Sequence, residues 1–434
     1  MYRPASPRLC VFALLLGATA VSANDRKPNL LLFIADDQHR ASVGCYGRTP
    51  SHTPAIDRLA AEGMRFDRAF TPSAMCTPSR SCLFTGLNPM RHGAHPNHAK
   101  MKPGVQTLAD WLKAAGYRTA LYGKEGARPF TPGVWDDQAE NTLKVPGSPE
   151  NCDFDWPRVE KFMTGDPAKP FLLVLSTNFP HAPYMEPGGY DASDKFTDGE
   201  LGAALDLVKK HGLDGNTIVV YVSDNGAGIP RAKWTVYDAG CLLPLIVRWP
   251  GRVKPGAATD AMVSFIDVAP SLLEAAGVPA PLYQSPSAPV AEGHGTGQAA
   301  GLDGRSFLGV LDGKSDRHRD EIFLTQTSMG VNNVTAPYPS RAIRTETHKY
   351  ILNLNPGVPH PMTKEVQPAE ELYRIDRDPD ETKNVIADPA EKDVLEELRA
   401  KLAAWMQSQG DGGMEGEKKI PARILGEGKN AKNR

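Results

Sequence analysis

The chain has 434 residues, of which 41% are hydrophobic and 23% charged, so it is long enough to bury a large core and too long for one small domain. Its formal net charge of -2 gives no electrostatic reason to expect a nucleic-acid partner or a strongly anionic membrane surface. Any recognition of anions must therefore come from a local cluster of cations.

The first 23 residues have the pattern of an export signal. Arg3 and Arg8 precede the apolar run CVFALLLGATAVSA, whose last three residues form a small-residue cleavage point before Asn24. This run is too short to span a bilayer comfortably, and no later stretch approaches a membrane span. We expect a signal peptide at 1–23 and a soluble mature protein that is periplasmic or secreted.

Four short apolar runs have the composition of buried parallel strands, and each is followed by a polar residue suited to a site. The runs NLLLFIA, YRTALYG, FLLVLSTNFP and NTIVVYVS lead to Asp36-Asp37, Lys124, His181 and Asp224-Asn225. Helical patterns lie between them, which predicts a doubly wound α/β sheet. In such sheets ligands bind beyond the carboxyl ends of the strands, so we expect these residues to form one site.

The pattern changes in the last third of the chain. Residues 279–300 are rich in Pro, Ala, Gly and Ser and predict a linker, and the short alternating runs beyond them predict a small antiparallel sheet with a closing helix at 391–408. We therefore divide the mature chain into a catalytic α/β domain at 24–300, a C-terminal α+β subdomain at 301–408 and a flexible tail at 409–434.

Hard oxygen ligands at two strand ends indicate a metal site. Asp36, Asp37, Asp224 and Asn225 offer the donors that calcium and magnesium prefer. Taken alone, DD and SDNG are most often solvated turns, but both directly follow strongly apolar runs. We therefore favour a calcium or magnesium site here.

Cations are expected close to these carboxylates. Arg80, Lys124 and Lys233 supply positive charge, and His181 supplies a titratable acid or base. Each could be a solvated surface residue, but all are predicted at the same end of the sheet. A divalent cation flanked by such groups can hold a tetrahedral oxyanion and stabilise charge on a leaving oxygen, which predicts hydrolysis of sulfate or phosphate esters.

The stretch AMCTPSRSCLFTG places a cysteine at a predicted helix start. Thr77 is suited to cap the helix and Pro78 to its first turn, so Cys76 would sit where the helix dipole favours an anion, acidic and nucleophilic as a thiolate. Arg80 would point back at the same place, and Cys82 is expected in the core. The residues alone propose a nucleophile facing a metal and say nothing of a modification.

This stretch also resembles a family signature. Cys76-Thr77-Pro78-Ser79-Arg80, followed by SCLFTG, is similar to that of the type I sulfatases, the formylglycine-dependent branch of the alkaline phosphatase superfamily. GYRTALYGK, KPFLLVLSTNFPHAPY and GLDGNTIVVYVSDNG extend the resemblance over most of the chain. It implies an alkaline-phosphatase-like fold and a cysteine that a maturating enzyme oxidises to formylglycine, whose hydrated aldehyde attacks sulfur.

The resemblance assigns roles to the same residues. Cys76 would become the formylglycine, and Asp36, Asp37, Asp224 and Asn225 would bind calcium together with it. Arg80 would hold the formylglycine hydrate, Lys124 and Lys233 would contact the sulfate, and His181 would protonate or hold the leaving group.

The substrate class also follows from resemblance. The segment LTQTSMGVNNVTAPYPSRAIRTETHKYILNLN and the ending ELYRIDRDPDETKNVIADP look most like the heparan N-sulfatase (sulfamidase) group. This implies hydrolysis of N-linked sulfate on glucosamine, as in the degradation of heparan sulfate, a glycosaminoglycan. His95 and His98 would then line the substrate pocket, or lie on a surface loop. Sulfatases specific for O-linked or aryl sulfate are the alternative.

One position departs from the family. A histidine usually follows the strand-end lysine by two residues and assists sulfate elimination, but here the sequence is Gly123-Lys124-Glu125-Gly126. Either Glu125 or another base substitutes, or the protein is a weak or inactive sulfatase that binds carbohydrate or sulfate. A phosphatase using Thr77 or Ser79 is a further alternative, although it leaves the signature unexplained.

Overall fold

The computed structural model describes residues 26–47, 50, 52–127, 130–139, 153–184, 188–279, 301–327, 338–360 and 364–419. The signal peptide predicted at 1–23 and nearly all of the linker predicted at 279–300 lie outside these ranges. Within the ranges, no helix combines the length and the apolarity needed to cross a membrane.

Thirteen strands form two sheets in the described part of the chain. The strands are β1 (Asn29–Ala35), β2 (Met64–Phe70), β3 (Arg118–Gly123), β4 (Asp137–Ala139), β5 (Phe171–Ser176), β6 (Thr217–Ser223), β7 (Leu242–Arg248), β8 (Ala257–Thr259), β9 (Val263–Ser264), β10 (Glu321–Gln326), β11 (Ser340–Thr345), β12 (His348–Asn353) and β13 (Glu370–Arg374). The larger sheet has the order β4-β3-β5-β1-β6-β7-β2-β8, with β9 paired to β2, and the smaller has the order β10-β11-β12-β13.

Eleven α-helices are described. They are α1 (Pro54–Glu62), α2 (Cys76–Thr85), α3 (Pro89–His92), α4 (Leu108–Ala114), α5 (Trp156–Thr164), α6 (Gly189–Lys210), α7 (Asp238–Cys241), α8 (Val268–Ala275), α9 (Leu308–Leu311), α10 (Lys392–Ser408) and α11 (Gly413–Lys418).

Helices cover both faces of the larger sheet, as the sequence predicts for a doubly wound fold. Alternate residues of β1 enter opposite cores: Leu32 packs in the core that α2, α4 and α8 share, and Phe33 in the core that α1, α5 and α6 share. Because both faces are buried, the strand is apolar throughout rather than alternating. The predicted α/β class is confirmed.

The four strands that the sequence singles out are neighbours. β3 pairs with β5, β5 with β1, and β1 with β6, and every one of these pairs is parallel. β7 then runs antiparallel to both β6 and β2, so the sheet is mixed. The carboxyl ends of β3, β5, β1 and β6 therefore meet at one edge.

The smaller sheet lies between the catalytic core and α10. Its Leu324 and Ile351 pack with Phe70 and Cys241, while Leu372 on the other face packs with α10. The closing helix predicted at 391–408 corresponds to α10, whose Leu395, Leu398, Leu402 and Trp405 are buried.

The segment predicted to be a flexible tail begins with folded residues. Arg341, which is 1% exposed, forms ion pairs with Asp411 and Glu417, and α11 places Glu417 for this contact. The prediction of a flexible tail is wrong for residues 411–418. Their glycine-rich and charged composition is typical of a mobile segment, but their acidic residues form buried ion pairs with Arg341. Residues 420–434 lie outside the described ranges.

Candidate active site

The edge of the larger sheet gathers the residues predicted from strand ends. Asp36 and Asp37 follow β1, Lys124 follows β3, His181 lies five residues beyond β5, and Asp224 and Asn225 follow β6. The chain between β6 and α7 adds Lys233, which is 2% exposed. The structure thus brings together the predicted metal ligands and three predicted contacts for an anion.

Cys76 begins α2 and faces this cluster. Its Sγ lies 3.5 Å from Asp36 Oδ1 and 3.4 Å from Lys124 Nζ. The helix starts two residues earlier than the sequence suggests, with Met75 at the N-cap and no side-chain cap of its own, so the prediction that Thr77 caps it is wrong. Cys76 therefore occupies the first helical position.

Asn97, which lies outside α2, accepts a hydrogen bond from one of the backbone N–H groups at the start of this helix. Thr77 N donates to Asn97 Oδ1 at 3.1 Å, and Thr77 Oγ1 accepts from His98 N at 3.1 Å. Sequence reasoning missed Asn97, because a cap that is 20 residues away leaves no local signal. The loop bearing His95 and His98 is therefore tied to the start of α2.

Arg80 is fully buried between the carboxylates that flank Cys76. Its Nε donates to Asp224 Oδ2 at 2.8 Å, and its Nη2 lies 3.7 Å from Asp36 Oδ1. Its Nη1 donates to the carbonyl oxygen of Lys124 at 3.1 Å and to Ser176 Oγ. Ser176 ends β5 and was not singled out in the sequence, since a serine in an apolar strand carries no chemical signature.

Asp37 is the centre of a second group of contacts. Lys233 Nζ donates to both of its carboxylate oxygens, at 2.6 and 2.7 Å, and Asn225 Nδ2 donates to Oδ1 at 2.6 Å. His181 Nε2 lies 3.6 Å from Oδ2 of the same carboxylate. Every predicted catalytic residue thus lies within one connected set of contacts.

The residues present fit a hard divalent cation. Two groups of three residues each offer ligand atoms that lie within 4.8 Å of one another. The first group is Asp36, Cys76 and Asp224, and the second is Asp37, Cys76 and His181. The buried Oδ1 of Asn225 accepts no hydrogen bond from any described residue. A buried amide oxygen without a donor is costly, and coordination of a cation would remove that cost.

Burial and nearby charges shift the pKa values of the carboxyl groups in opposite directions. Burial raises the pKa of Asp36, but Lys124 and Arg80 lower it more, so it lies far below its usual range. Burial raises the pKa of Asp224, and Arg80 offsets this only in part. Burial lowers the pKa of Lys124, but the Asp36 carboxylate outweighs it and raises that pKa to about 12.

The unmodified Cys76 is a poor nucleophile. Burial raises the pKa of its thiol to about 12, although Lys124 and Lys233 oppose the shift. The expectation of an acidic thiolate is therefore wrong, because desolvation in this closed site exceeds the effect of the helix dipole and the nearby lysines. Among the described cysteines, Cys45, Cys76, Cys82 and Cys241 are free thiols, and Cys152 lies outside the described ranges.

Gly126, where the family usually has histidine, packs against Arg80. Its φ is +68°, and a Cβ atom built on it would lie 2.1 Å from Arg80 Cδ and 3.0 Å from Nε. A tight turn, in which Ala127 N donates to the carbonyl oxygen of Glu125 at 2.8 Å, brings the backbone this close. In this backbone conformation a side chain at position 126 fits only if Arg80 moves.

His95 and His98 lie beside the start of α2. His98 is exposed. His95 accepts a hydrogen bond at its carbonyl oxygen from Thr327 Oγ1 at 3.0 Å, and its Nδ1 has no hydrogen-bond partner among the described residues. Burial lowers the pKa of His95 to about 4. Their contact with substrate stays a prediction.

The C-terminal sheet holds the segment that carries Lys233. Lys349 of β12, which is buried, forms ion pairs with Asp238 and with Glu381 at 2.8 Å and donates to the carbonyl oxygen of Val236 at 3.1 Å. Tyr237 Oη donates to Glu371 of β13 at 2.8 Å. Residues more than 100 positions later in the chain therefore anchor the segment that directly follows Lys233.

Comparison with known proteins identifies the family. A model described as sulfatase matches residues 28–278, and one described as N-sulphoglucosamine sulphohydrolase, C-terminal, matches residues 232–408. The chain belongs to the sulfatase family. Its predicted activity as a hydrolase of this class is confirmed, as is its resemblance to the sulfamidase group.

Relatives of this sulfatase align along most of its length. It is 30% identical over 434 aligned residues to an ulvan-active sulfatase from Formosa agariphila, covering 90% of this chain and 82% of that one. It is 26% identical over 488 aligned residues to human N-sulphoglucosamine sulphohydrolase, covering 92% and 93%. Its fold is similar, with a TM-score of 0.74 and 20% identity over 91% of this chain and 100% of the other, to a protein solved with its substrate D-glucosamine-2-N,6-O-disulfate.

Proposed function

We propose that this sulfatase hydrolyses sulfamates or sulfate esters of sulfated sugars such as N-sulfoglucosamine, using a formylglycine made from Cys76 and a bound calcium ion. The placement of Cys76 carries the proposal, because it begins a helix among three buried carboxylates, two lysines and an arginine. The match of residues 232–408 to an N-sulphoglucosamine sulphohydrolase model supports the choice of substrate. The raised thiol pKa supports a nucleophile other than the thiol itself.

Each residue of the site would have its own role in the reaction. Asp36, Asp37, Asp224 and Asn225 would hold a calcium ion, which would supply positive charge, and a formylglycine at position 76 would supply a hydrated aldehyde as the nucleophile. Arg80 is fixed by Asp224 and orients the group at position 76. Lys124 and Lys233 hold sulfate oxygens, and His181, on the more exposed side of Asp37, passes a proton to the leaving nitrogen or oxygen.

The geometry at Gly126 favours a second candidate, a weak or inactive sulfatase that binds sulfated carbohydrate. A histidine side chain at Gly126, which would assist sulfate elimination, would clash with Arg80, and the carbonyl oxygen of Glu125 accepts a hydrogen bond from Ala127 N within the same turn. Turnover would then depend on another base or on water. The two candidates differ in release of sulfate, not in binding.

A substrate panel tests both. The protein is produced together with a formylglycine-generating enzyme, the Cys76 peptide is analysed by mass spectrometry, and sulfate release is measured from N-sulfoglucosamine, 6-O-sulfoglucosamine and an aryl sulfate. We expect formylglycine at position 76 and preferential release from N-sulfoglucosamine, with none from Cys76→Ala. Unmodified cysteine in every active preparation contradicts the formylglycine, whereas binding without release supports the second candidate.

We further propose that the mature protein acts in the periplasm or outside the cell, where a polymeric glycosaminoglycan is accessible. The apolar run after Arg3 and Arg8 supports export. N-terminal sequencing of protein recovered from periplasm and medium tests this. A chain that starts at Asn24 is expected, and a full-length chain confined to the cytoplasm contradicts it.

A further inference from the structure

A cavity of about 380 Å³ lies beside the turn that contains Gly126. Its walls include Lys100, Glu125, Phe130, Trp135 and Gln138. This volume is at the lower end of the range for small-molecule sites and suits one sugar ring.

The walls of the cavity are connected to the catalytic cluster. Glu125 directly follows Lys124, whose Nζ is 3.4 Å from Cys76 Sγ. Lys100 lies two residues beyond His98, whose backbone N–H bonds to Thr77 next to Cys76. Two residues of the cavity wall are therefore within two positions of residues that contact Cys76 or its neighbour Thr77.

An aromatic cluster gives the cavity a fixed apolar wall. The rings of Phe130 and Trp135 meet edge to face with centroids 5.1 Å apart, and Phe84 of α2 packs against both, at 5.3 and 6.4 Å. Trp135 Nε1 donates to no described residue. Because α2 also carries Cys76 and Arg80, this wall is held rigidly relative to the reacting centre.

The polar groups of the cavity suit a hydroxylated and negatively charged ligand. Gln138 offers an amide and Glu125 a carboxylate acceptor for hydroxyl groups. Lys100 is exposed, and it forms no ion pair or hydrogen bond within the described ranges, so its ammonium group can contact an anion without breaking an existing bond. An apolar wall with a few convergent polar groups is the usual composition of a ligand site.

We propose that this cavity binds the sugar unit next to the one that loses sulfate, and that Lys100 selects a unit carrying a carboxylate or a second sulfate. The inference rests on the proposed function and adds a second recognition site to it. The protein would then recognise a substrate of at least two sugar units, and Trp135 and Phe130 would pack against the ring of the second unit.

Binding measurements that do not need turnover test the proposal. Calorimetry in buffer that contains calcium measures the affinity of the Cys76→Ser protein for N-sulfoglucosamine and for three disaccharides. In these disaccharides the unit next to N-sulfoglucosamine is a uronate, an O-sulfated neutral sugar or an uncharged sugar. The same series is repeated in Lys100→Ala and Gln138→Ala, with Lys254→Ala, an exposed lysine between β7 and β8, as the matched control.

We expect a charged neighbouring unit to tighten binding about tenfold or more over the monosaccharide, and Lys100→Ala to remove most of this gain while the monosaccharide is unaffected. Preference for the uronate or for the O-sulfated sugar identifies which anion is recognised. Equal affinity for all four ligands, or a gain that survives Lys100→Ala and Gln138→Ala, overturns the inference and leaves the proposed function intact. Absence of binding by every ligand overturns both.

Discussion

Gly126 lies directly against the side chain of Arg80, so closely that a single methyl group on Gly126 would come within 2.1 Å of Arg80 Cδ. The guanidinium of Arg80 in turn bridges the carboxylates on either side of Cys76. A side chain at position 126, where the resemblance leads us to expect a histidine, would therefore displace Arg80 from these contacts.

We predict that Gly126→His does not restore a family-like active site and that both Gly126→His and Gly126→Ala lower kcat at least tenfold. The Cβ atom must displace Arg80, which weakens a charge-assisted hydrogen bond that contributes about 1.5–3 kcal/mol. Gly116→Ala is the control, because Gly116 has a φ of +90° but nothing within 4 Å of an added Cβ. A rise in kcat for Gly126→His would show that the turn adapts to the side chain.

Lys233→Met should make the protein's stability strongly dependent on calcium. Without the ammonium group, the buried Asp37 carboxylate loses its closest cation, which costs about 3–5 kcal/mol in calcium-free protein. Calcium compensates part of this loss, so the rise in Tm on adding calcium after chelation should exceed that of the wild type, while activity is lost. Lys113→Met, which breaks a half-exposed pair with Asp136, should lower stability by at most about 1 kcal/mol with no calcium dependence. Equal calcium shifts in Lys233→Met and wild type would argue against a cation at Asp37.

Arg341→Met should destabilise the protein by about 3–5 kcal/mol, since it removes the buried ion pairs of Arg341 with Asp411 and Glu417. The free energy of unfolding from urea denaturation measures the effect. Lys418→Met, which breaks an exposed pair with Glu415, should leave the free energy of unfolding nearly unchanged. A similarly small effect for both variants would mean that the segment 411–418 contributes little to the fold.

His95 should make the protein less stable as the pH falls. Its pKa is about 4 in the folded protein because of burial, below the usual value near 6.5, so between these values the unfolded chain binds a proton that the folded chain does not. The free energy of unfolding then decreases with falling pH by up to about 1.4 kcal/mol per pH unit from this residue. His95→Gln should flatten the profile between pH 6.5 and 4 relative to wild type, and His98→Gln, at an exposed position, should leave it nearly unchanged. A parallel His95→Gln profile would mean that His95 is protonated in the folded state.

The sequence predicts the sheet and the strand-end residues because both follow from local patterns. Buried parallel strands are continuously apolar, so the position at which β1 or β6 ends is visible as the first aspartate after the run. Their adjacency follows from the rule that parallel strands present their carboxyl ends at one edge.

The contacts that complete the site are nonlocal, and the sequence does not reveal them. Asn97 caps α2 from 20 residues away, and Ser176 bonds Arg80 across 96 residues. The thiol pKa of Cys76 depends on how completely the site is closed to water, which no local pattern reports. The close packing of Gly126 can be recognised only when the position of Arg80 is known. In the sequence alone, Gly126 is noticeable only because the expected histidine is missing.

The buried contacts of Lys349 with Asp238 and Glu381 join the C-terminal sheet to the segment that carries Lys233. A fragment that ends at residue 300 would keep Cys76 and the carboxylates proposed to bind calcium, yet the segment that carries Lys233 would lose its contacts with Lys349. Substitutions that loosen the C-terminal sheet are therefore expected to displace the segment that carries Lys233, so loss of function would arise far from the residues proposed to perform the reaction.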